Sequence, residues 1–166
     1  MQPDIARAAP EDAAWIATLW NGIITDTLIT FTTTPKTLAE VGDMIAARPV
    51  FVLPDQAGFA TYGPFRPGPG YAATVEHSVY VQPALRGQGL GAPLLRHLID
   101  HAAGAQHRVM VAGISGANPG AVRFHQRMGF AQVGHLPEVG HKDGQWLDLI
   151  LMQKMLNRPD TARDRG

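Results

Sequence analysis

The sequence predicts a single-domain α/β protein with a mixed, mostly antiparallel central sheet flanked by about four helices. Three observations predict it. Helical periodicity comes early, between residues 10 and 48, and short apolar strands fill the middle. One strand–helix–strand crossover then spans Tyr71 to Ile114. The third is size and composition: 166 residues, 45% apolar and 17% charged, suit one packed domain over 1–156, followed by a polar tail over 157–166.

Several function classes fall away at once. With no cysteine, disulfides, thiolate metal sites and a thiol nucleophile are excluded. Fourteen basic residues balance fourteen acidic ones, eleven of the former being scattered arginines, so no field holds a nucleic acid. No apolar run has the length of a membrane span. The first residues lack a basic and an apolar region, so no signal peptide is visible and the expected location is the cytoplasm.

Asp4–Arg7 reads as a short first strand. Pro10-Glu11-Asp12 opens a helix, proline in the first turn and acids at the positive dipole end, with Trp15, Ile16, Leu19 and Ile23 at helical spacing. Thr25–Thr34 is an irregular loop or strand. Thr37–Arg48 is a second helix, its stripe Leu38, Val41, Met44 and Ile45. Val50–Leu53 and Phe59–Phe65 are strands around a Pro54–Gly58 turn, and Tyr71–Val81 is a long strand. In that strand Val75, His77, Val79 and Val81 share one face, and Glu76, Ser78 and Tyr80 the other. Leu90–Ala103 is a third helix, with Leu94, Leu95, Leu98 and Ile99 inward. Arg108–Ile114 is a buried strand. Asn118-Pro119 caps a fourth helix that Gly129 ends. Phe130–Leu136 and Trp146–Leu156 form a last antiparallel pair, and Asp143-Gly144 is a turn signal.

The sharpest motif is Arg86-Gly87-Gln88-Gly89-Leu90-Gly91, set between a strand and a helix. Glycines let backbone N–H groups approach a ligand, and the helix adds its positive end, a combination suited to a pyrophosphate. Gly87–Ala92 also fits the dinucleotide fingerprint, but no acid stands about twenty residues on; the stretch there is His107-Arg108-Val109-Met110-Val111. No Gly-Lys-Ser/Thr is present for a nucleotide triphosphate.

With Val79-Tyr80-Val81 before the loop, Asn118 in a cap, Phe124-His125 on the next helix and Gly129-Phe130 at its end, the chain resembles the GNAT acetyltransferase superfamily. Thr74–Val81, Phe124–Phe130 and Gly140–Asp148 look like its phosphinothricin and methionine sulfone (sulfoximine) N-acetyltransferases; Trp20-Asn21, Thr30-Phe31 and Pro35 agree. The resemblance runs from Ile5 to Leu156. It implies acetyl-CoA as co-substrate, no metal, a small amino acid or analogue as acceptor, and a homodimer with Phe31 and the Trp146 segment near its interface. It places Arg86, Gly87, Gln88, Gly89, Leu90, Gly91 and Ala92 on the cofactor pyrophosphate, Asn118 on the pantetheine arm and Arg127 on the cofactor. The backbone of Val79, Tyr80 and Val81 would lie on the thioester, on a strand splayed or bulged from its neighbour.

N-acetylation needs a base for the amine, donors for the thioester carbonyl and an acid for the thiolate. Glu76 is one of four glutamates and stands mid-strand among apolar residues, where burial would raise its pKa. Spacing alone equally allows a solvated or arginine-paired glutamate; the resemblance makes it the base. His125 and Tyr80 are alternative acids, and each also reads as structural. For the acceptor, Arg66 offers a carboxylate fork. The resemblance adds Pro67, Gly68, Glu76, His77 and Ser78 as acceptor contacts, and Phe31 as a wall. Gly68-Pro69-Gly70 and Ala72 are smaller than relatives carry there. His97 and His101 lack a third metal ligand, and Lys142 reads as a flank of the turn. The other readings are a GNAT enzyme for a different amine and a non-catalytic coenzyme A-binding module.

Overall fold

The computed structural model describes residues 2–156; the predicted tail lies outside the described residues. After a single 3-10 turn at Pro10–Asp12, helix α1 covers Ala13–Asp26. Its inner face buries Ile16, Leu19 and Ile23, as the spacing predicts, and Ile24 besides, while Trp15 is only half-buried. Helix α2 (Leu38–Ala47) is opened by a reciprocal cap in which Thr37 and Glu40 satisfy each other's backbone N–H groups. Val41 and Ile45 are buried and Met44 is half-buried, but Leu38, expected on the same stripe, is 59% exposed.

The strands are β1 (Ala6–Arg7), β2 (Val50–Val52), β3 (Gly58–Pro64), β4 (Thr74–Val81), β5 (Val109–Ser115), β6 (Ala131–Lys142) and β7 (Gln145–Met155). They form one seven-stranded sheet in the order β1-β2-β3-β4-β5-β7-β6. All neighbours are antiparallel except β4 and β5, whose parallel pairing needs a crossover, supplied by helix α3 (Gly91–Gly104). Strand β4 is shorter than predicted. Gly68-Pro69-Gly70 breaks the chain into a 3-10 turn at Pro69–Tyr71, and pairing starts only at Thr74. Strand β6 is longer than predicted. It bulges twice, at Gln132/Gly134 and Leu136/Gly140, and closes on β7 through Asp143-Gly144, both in positive φ.

Two cores sandwich the sheet. On one face α3 and helix α4 (Pro119–Arg127) lie over Val75, Met110, Ala112, Ile114 and Met152, with Leu94, Leu95 and Leu98 fully buried. On the other, α1 and α2 cover Val50, Val52 and Phe59. Each such side chain contributes roughly 1.5–3 kcal/mol through burial.

The β4–β5 ladder stops early. Thr74, Val75 and Glu76 pair with Val109, Met110 and Val111; beyond them β4 continues to Val81 and β5 to Ser115 without pairing. The two parallel strands part at Glu76.

Candidate active site

The parting point gathers chemistry on both faces of the sheet. Glu76 lies on the α1/α2 face, registered between Gly63 of β3 and Val111 of β5. Its carboxylate reaches across β5: Oε1 stands 3.2 Å from where a Cβ on Gly113 would be, and Leu149 of β7 borders the same spot. The residue as a whole is exposed, which is the solvated alternative that its spacing allowed. Its carboxyl is nonetheless screened by the surrounding protein enough to push its pKa up.

His77 points the other way. It is buried on the α3/α4 face, separated from Glu76 and Ser78 by the sheet, so its side chain does not join the expected acceptor set. Its Nε2 lies 3.0 Å from Nε2 of His125, while His125 Nδ1 donates to the Ala121 carbonyl at 2.7 Å and His77 Nδ1 lies 3.2 Å from the Val111 carbonyl. Two neutral rings carry two N–H protons for three contacts. Each carbonyl can only accept, so His125 gives its proton to Ala121, and the one proton of neutral His77 serves either the Val111 carbonyl or the facing ring. Burial pushes both rings down, His77 to about 3, helped by repulsion from His125. With both nitrogens of buried His125 turned to protein groups, the expected acid has no free edge for a thiolate. The pair instead ties α4 to β4 and β5 where the strands part.

Tyr80, the alternative acid, sits in an aromatic cluster with its ring centroid 5.4 Å from Phe59 and 6.0 Å from Trp20. Burial pushes its hydroxyl up, opposed by Ser78 and Trp20. Ser78 registers with Thr61 on the same face as Glu76.

The glycine loop has the geometry of an anion cradle. Gly87 and Gly89 have φ of 79° and 77°, which side chains adopt only with strain, and the space above both is open. Arg86 and Gln88 are exposed, Leu90 packs inward, and α3 starts at Gly91 and Ala92 with no side-chain cap. Its first-turn N–H groups therefore point at the loop. Asn118 caps α4 through Ala121 N, and Arg127 is exposed in its last turn. Val79, Tyr80 and Val81 pair with β3 along one edge, and no strand pairs with their other edge.

Arg66, Pro67 and Gly68 lie together on an exposed loop, with the Arg66 guanidinium 5.3 Å from the Phe65 ring. Phe31 reaches the site from the α1–α2 loop and lies flat on Gly140, whose Cβ would fall 2.6 Å from the ring. Gly140 registers with Leu147, one pleat along β7 from Leu149. Sequence reasoning missed Gly113 and Gly140, which make room for Glu76 and Phe31; an isolated strand glycine carries that signal only once its neighbours are known. Lys142 does more than flank the turn. That side chain is 3% exposed, and its ammonium donates to the Thr30 carbonyl at 2.9 Å. A cavity of about 390 Å³ between α1 and the loop after β4 includes Arg86 but not Glu76.

The family model for "Acetyltransferase (GNAT) family" matches residues 30–130. The chain belongs to this acetyltransferase family. A GNAT sheet is thus the architecture described above, and the chain is an acetyltransferase. It is 39% identical to L-methionine sulfoximine/L-methionine sulfone acetyltransferase of Pseudomonas paraeruginosa over 98% of this chain and 99% of that protein. It is 34% identical to phosphinothricin N-acetyltransferase of Streptomyces coelicolor, over 88% and 92%. A Salmonella typhimurium acetyltransferase solved with acetyl-CoA superposes with TM-score 0.90 at 35% identity, covering 95% of this chain and 96% of that one.

Proposed function

We propose that this GNAT enzyme transfers the acetyl group of acetyl-CoA to the α-amine of a small amino acid or analogue of the methionine sulfone, methionine sulfoximine or phosphinothricin type. The observation that carries the reading is the placement of Glu76. It stands where β4 and β5 part, a few residues before the edge that would receive a thioester, with a carboxyl whose pKa is raised. The acceptor class is supported by the full-length similarity to the Pseudomonas enzyme.

Acetyl-CoA supplies the acetyl group as an activated thioester. The Gly87–Ala92 loop and the α3 N-terminus hold the diphosphate, with Arg86 beside it. Asn118 and Arg127 flank the rest of the cofactor. The unpaired edge of Val79–Val81 orients the carbonyl with backbone donors. Glu76 takes a proton from the acceptor ammonium, directly or through a water, so that the amine becomes nucleophilic. Direct transfer fits a chain with no cysteine to carry the group. Neither His77 nor His125 offers a nitrogen for the thiolate, so Tyr80 is the acid this geometry favours, acting from the same face as Glu76.

We also infer a cytoplasmic homodimer. The outer face of the β6–β7 hairpin supports it, because Val133, Val139 and Trp146 are 54%, 54% and 65% exposed there. Release of coenzyme A with methionine sulfone as acceptor tests the activity. No thiol release with that acceptor, alongside turnover of a peptide N-terminus or an aminoglycoside, would replace the acceptor class.

A further inference from the structure

A second charged group, which no local motif singles out, shares the Glu76 face. Arg48 closes α2, and Pro49 holds it in extended geometry, φ −130° and ψ 159°. Thr61 fixes the chain there through Oγ1, which donates to the Pro49 carbonyl at 2.8 Å. The Arg48 side chain is thereby laid over β3. Its guanidinium covers Gly63: a Cβ on that glycine would fall 2.7 Å from Nη1 and 2.8 Å from Cζ. Gly63 is the register partner of Glu76, so the guanidinium lies one strand away from the proposed base, on the same face.

The two groups do not pair. Among the described residues the only ion pair is His135–Asp148, and the Arg48 guanidinium makes no hydrogen bond; only its backbone is used. Glu76 leans away over Gly113. A cation and a carboxylate therefore face the same open strip of sheet, spaced by about one strand separation of ~4.8 Å plus the lean. An α-amino acid presents an ammonium and a carboxylate on one carbon. It bridges such a strip with its amine to Glu76 and its carboxylate to the five-donor fork of Arg48. Arg66, the fork expected from sequence, is on the exposed loop after β3 and stacks on its own neighbour Phe65.

Resting on the amino-acid reading above, we propose that Arg48 is the acceptor-binding residue that recognises the α-carboxylate. Glycine at 63 is then part of the site, because any side chain there would displace the guanidinium from its seat.

The test compares methionine sulfone with its primary amide as acceptors, following coenzyme A release. Wild type is expected to favour the acid by tenfold or more in kcat/KM, roughly the worth of a charged hydrogen-bonded pair. Arg48→Gln should bring acid and amide to near parity by raising KM for the acid about tenfold, with KM for acetyl-CoA unchanged. Arg48→Lys should restore part of the preference, and Arg66→Gln should retain it. Arg48 is exposed, so Arg48→Gln is expected to fold; Arg48→Met is the second variant should it not. The assignment is overturned if Arg48→Gln keeps the acid preference, if Arg66→Gln abolishes it, or if wild type treats acid and amide alike. A wild type that binds acetyl-CoA yet acetylates neither compound gives a different pattern, which removes the amino-acid reading and this assignment together.

Discussion

The proposed role of Glu76 depends on what its neighbours lack. Gly113 has no side chain to crowd Oε1, and no positive group touches the carboxyl to lower its pKa. Glu76→Gln is expected to lower kcat by about 10²-fold or more, the usual worth of a positioned base, with little change in acetyl-CoA affinity. Because its pKa is raised, the wild-type rate should fall on acidification at a pH above that of an ordinary glutamate; a kcat/KM profile checks this, and the glutamine variant should lose that limb. Gly113→Ala should reduce kcat several-fold at constant acetyl-CoA Kd, since the new methyl meets Oε1 at 3.2 Å. The histidine pair titrates in the opposite sense. Folding holds His77 neutral down to about 3, while the unfolded chain protonates near 6.5. Between those values the unfolded state binds more protons, so stability falls as pH drops through the window. Melting temperatures from pH 7 to 4.5 should show that slope, and His77→Gln should flatten it.

At the scale of elements, loops carry the site and strands aim it. The α1–α2 loop is anchored at its ends: Thr27 bonds the Ile23 carbonyl, and Asn21 clamps Lys36 through both its side-chain oxygen and nitrogen. Between Ile29 and Lys36 the single hydrogen bond to the rest of the protein, among the described residues, is Lys142 to Thr30. Lys142→Met should therefore loosen Phe31, seen as faster amide exchange over residues 29–35 and a higher acceptor KM, while α3 and its glycine loop are unaffected. Gly89→Val should act on the cofactor side alone. Forcing a β-branched residue to φ 77° costs about 1–2 kcal/mol of local geometry, so acetyl-CoA Kd should rise about tenfold or more by calorimetry. These elements also mark what was legible beforehand. The glycine loop, the Asn118 cap and the inward face of α3 could be read because each rests on local spacing, whereas Glu76 was singled out by the family resemblance, since spacing alone left its role open. Arg48, Gly63, Gly113, Gly140 and Lys142 could not be read. Their roles arise from register between strands distant in sequence, and a lone glycine or lysine looks alike in either context. The start of β4 was misplaced for a local reason, the proline between two glycines. The His77 side chain lies on the far face from Glu76 and Ser78, where strand alternation had already put it.

For the whole molecule, the β6–β7 hairpin is the outlying part. It closes one edge of the sheet, and β6 is exposed along most of its length. Trp146→Asp should shift a dimer toward monomer in sedimentation without unfolding the chain, since Trp146 is 65% exposed, with its ring against His141. An unshifted profile would place the contact elsewhere.

The early end of the β4–β5 ladder reaches beyond catalysis. A fold that keeps two neighbouring strands unzipped forgoes part of its own cohesion and recovers it from whatever lodges in the gap. Saturation at a hundred times Kd adds about 2.7 kcal/mol to a protein that binds only when folded. The cell's acetyl-CoA supply would then set how long each copy survives proteolysis, so that in starved cells the enzyme would be lost along with the metabolite it consumes.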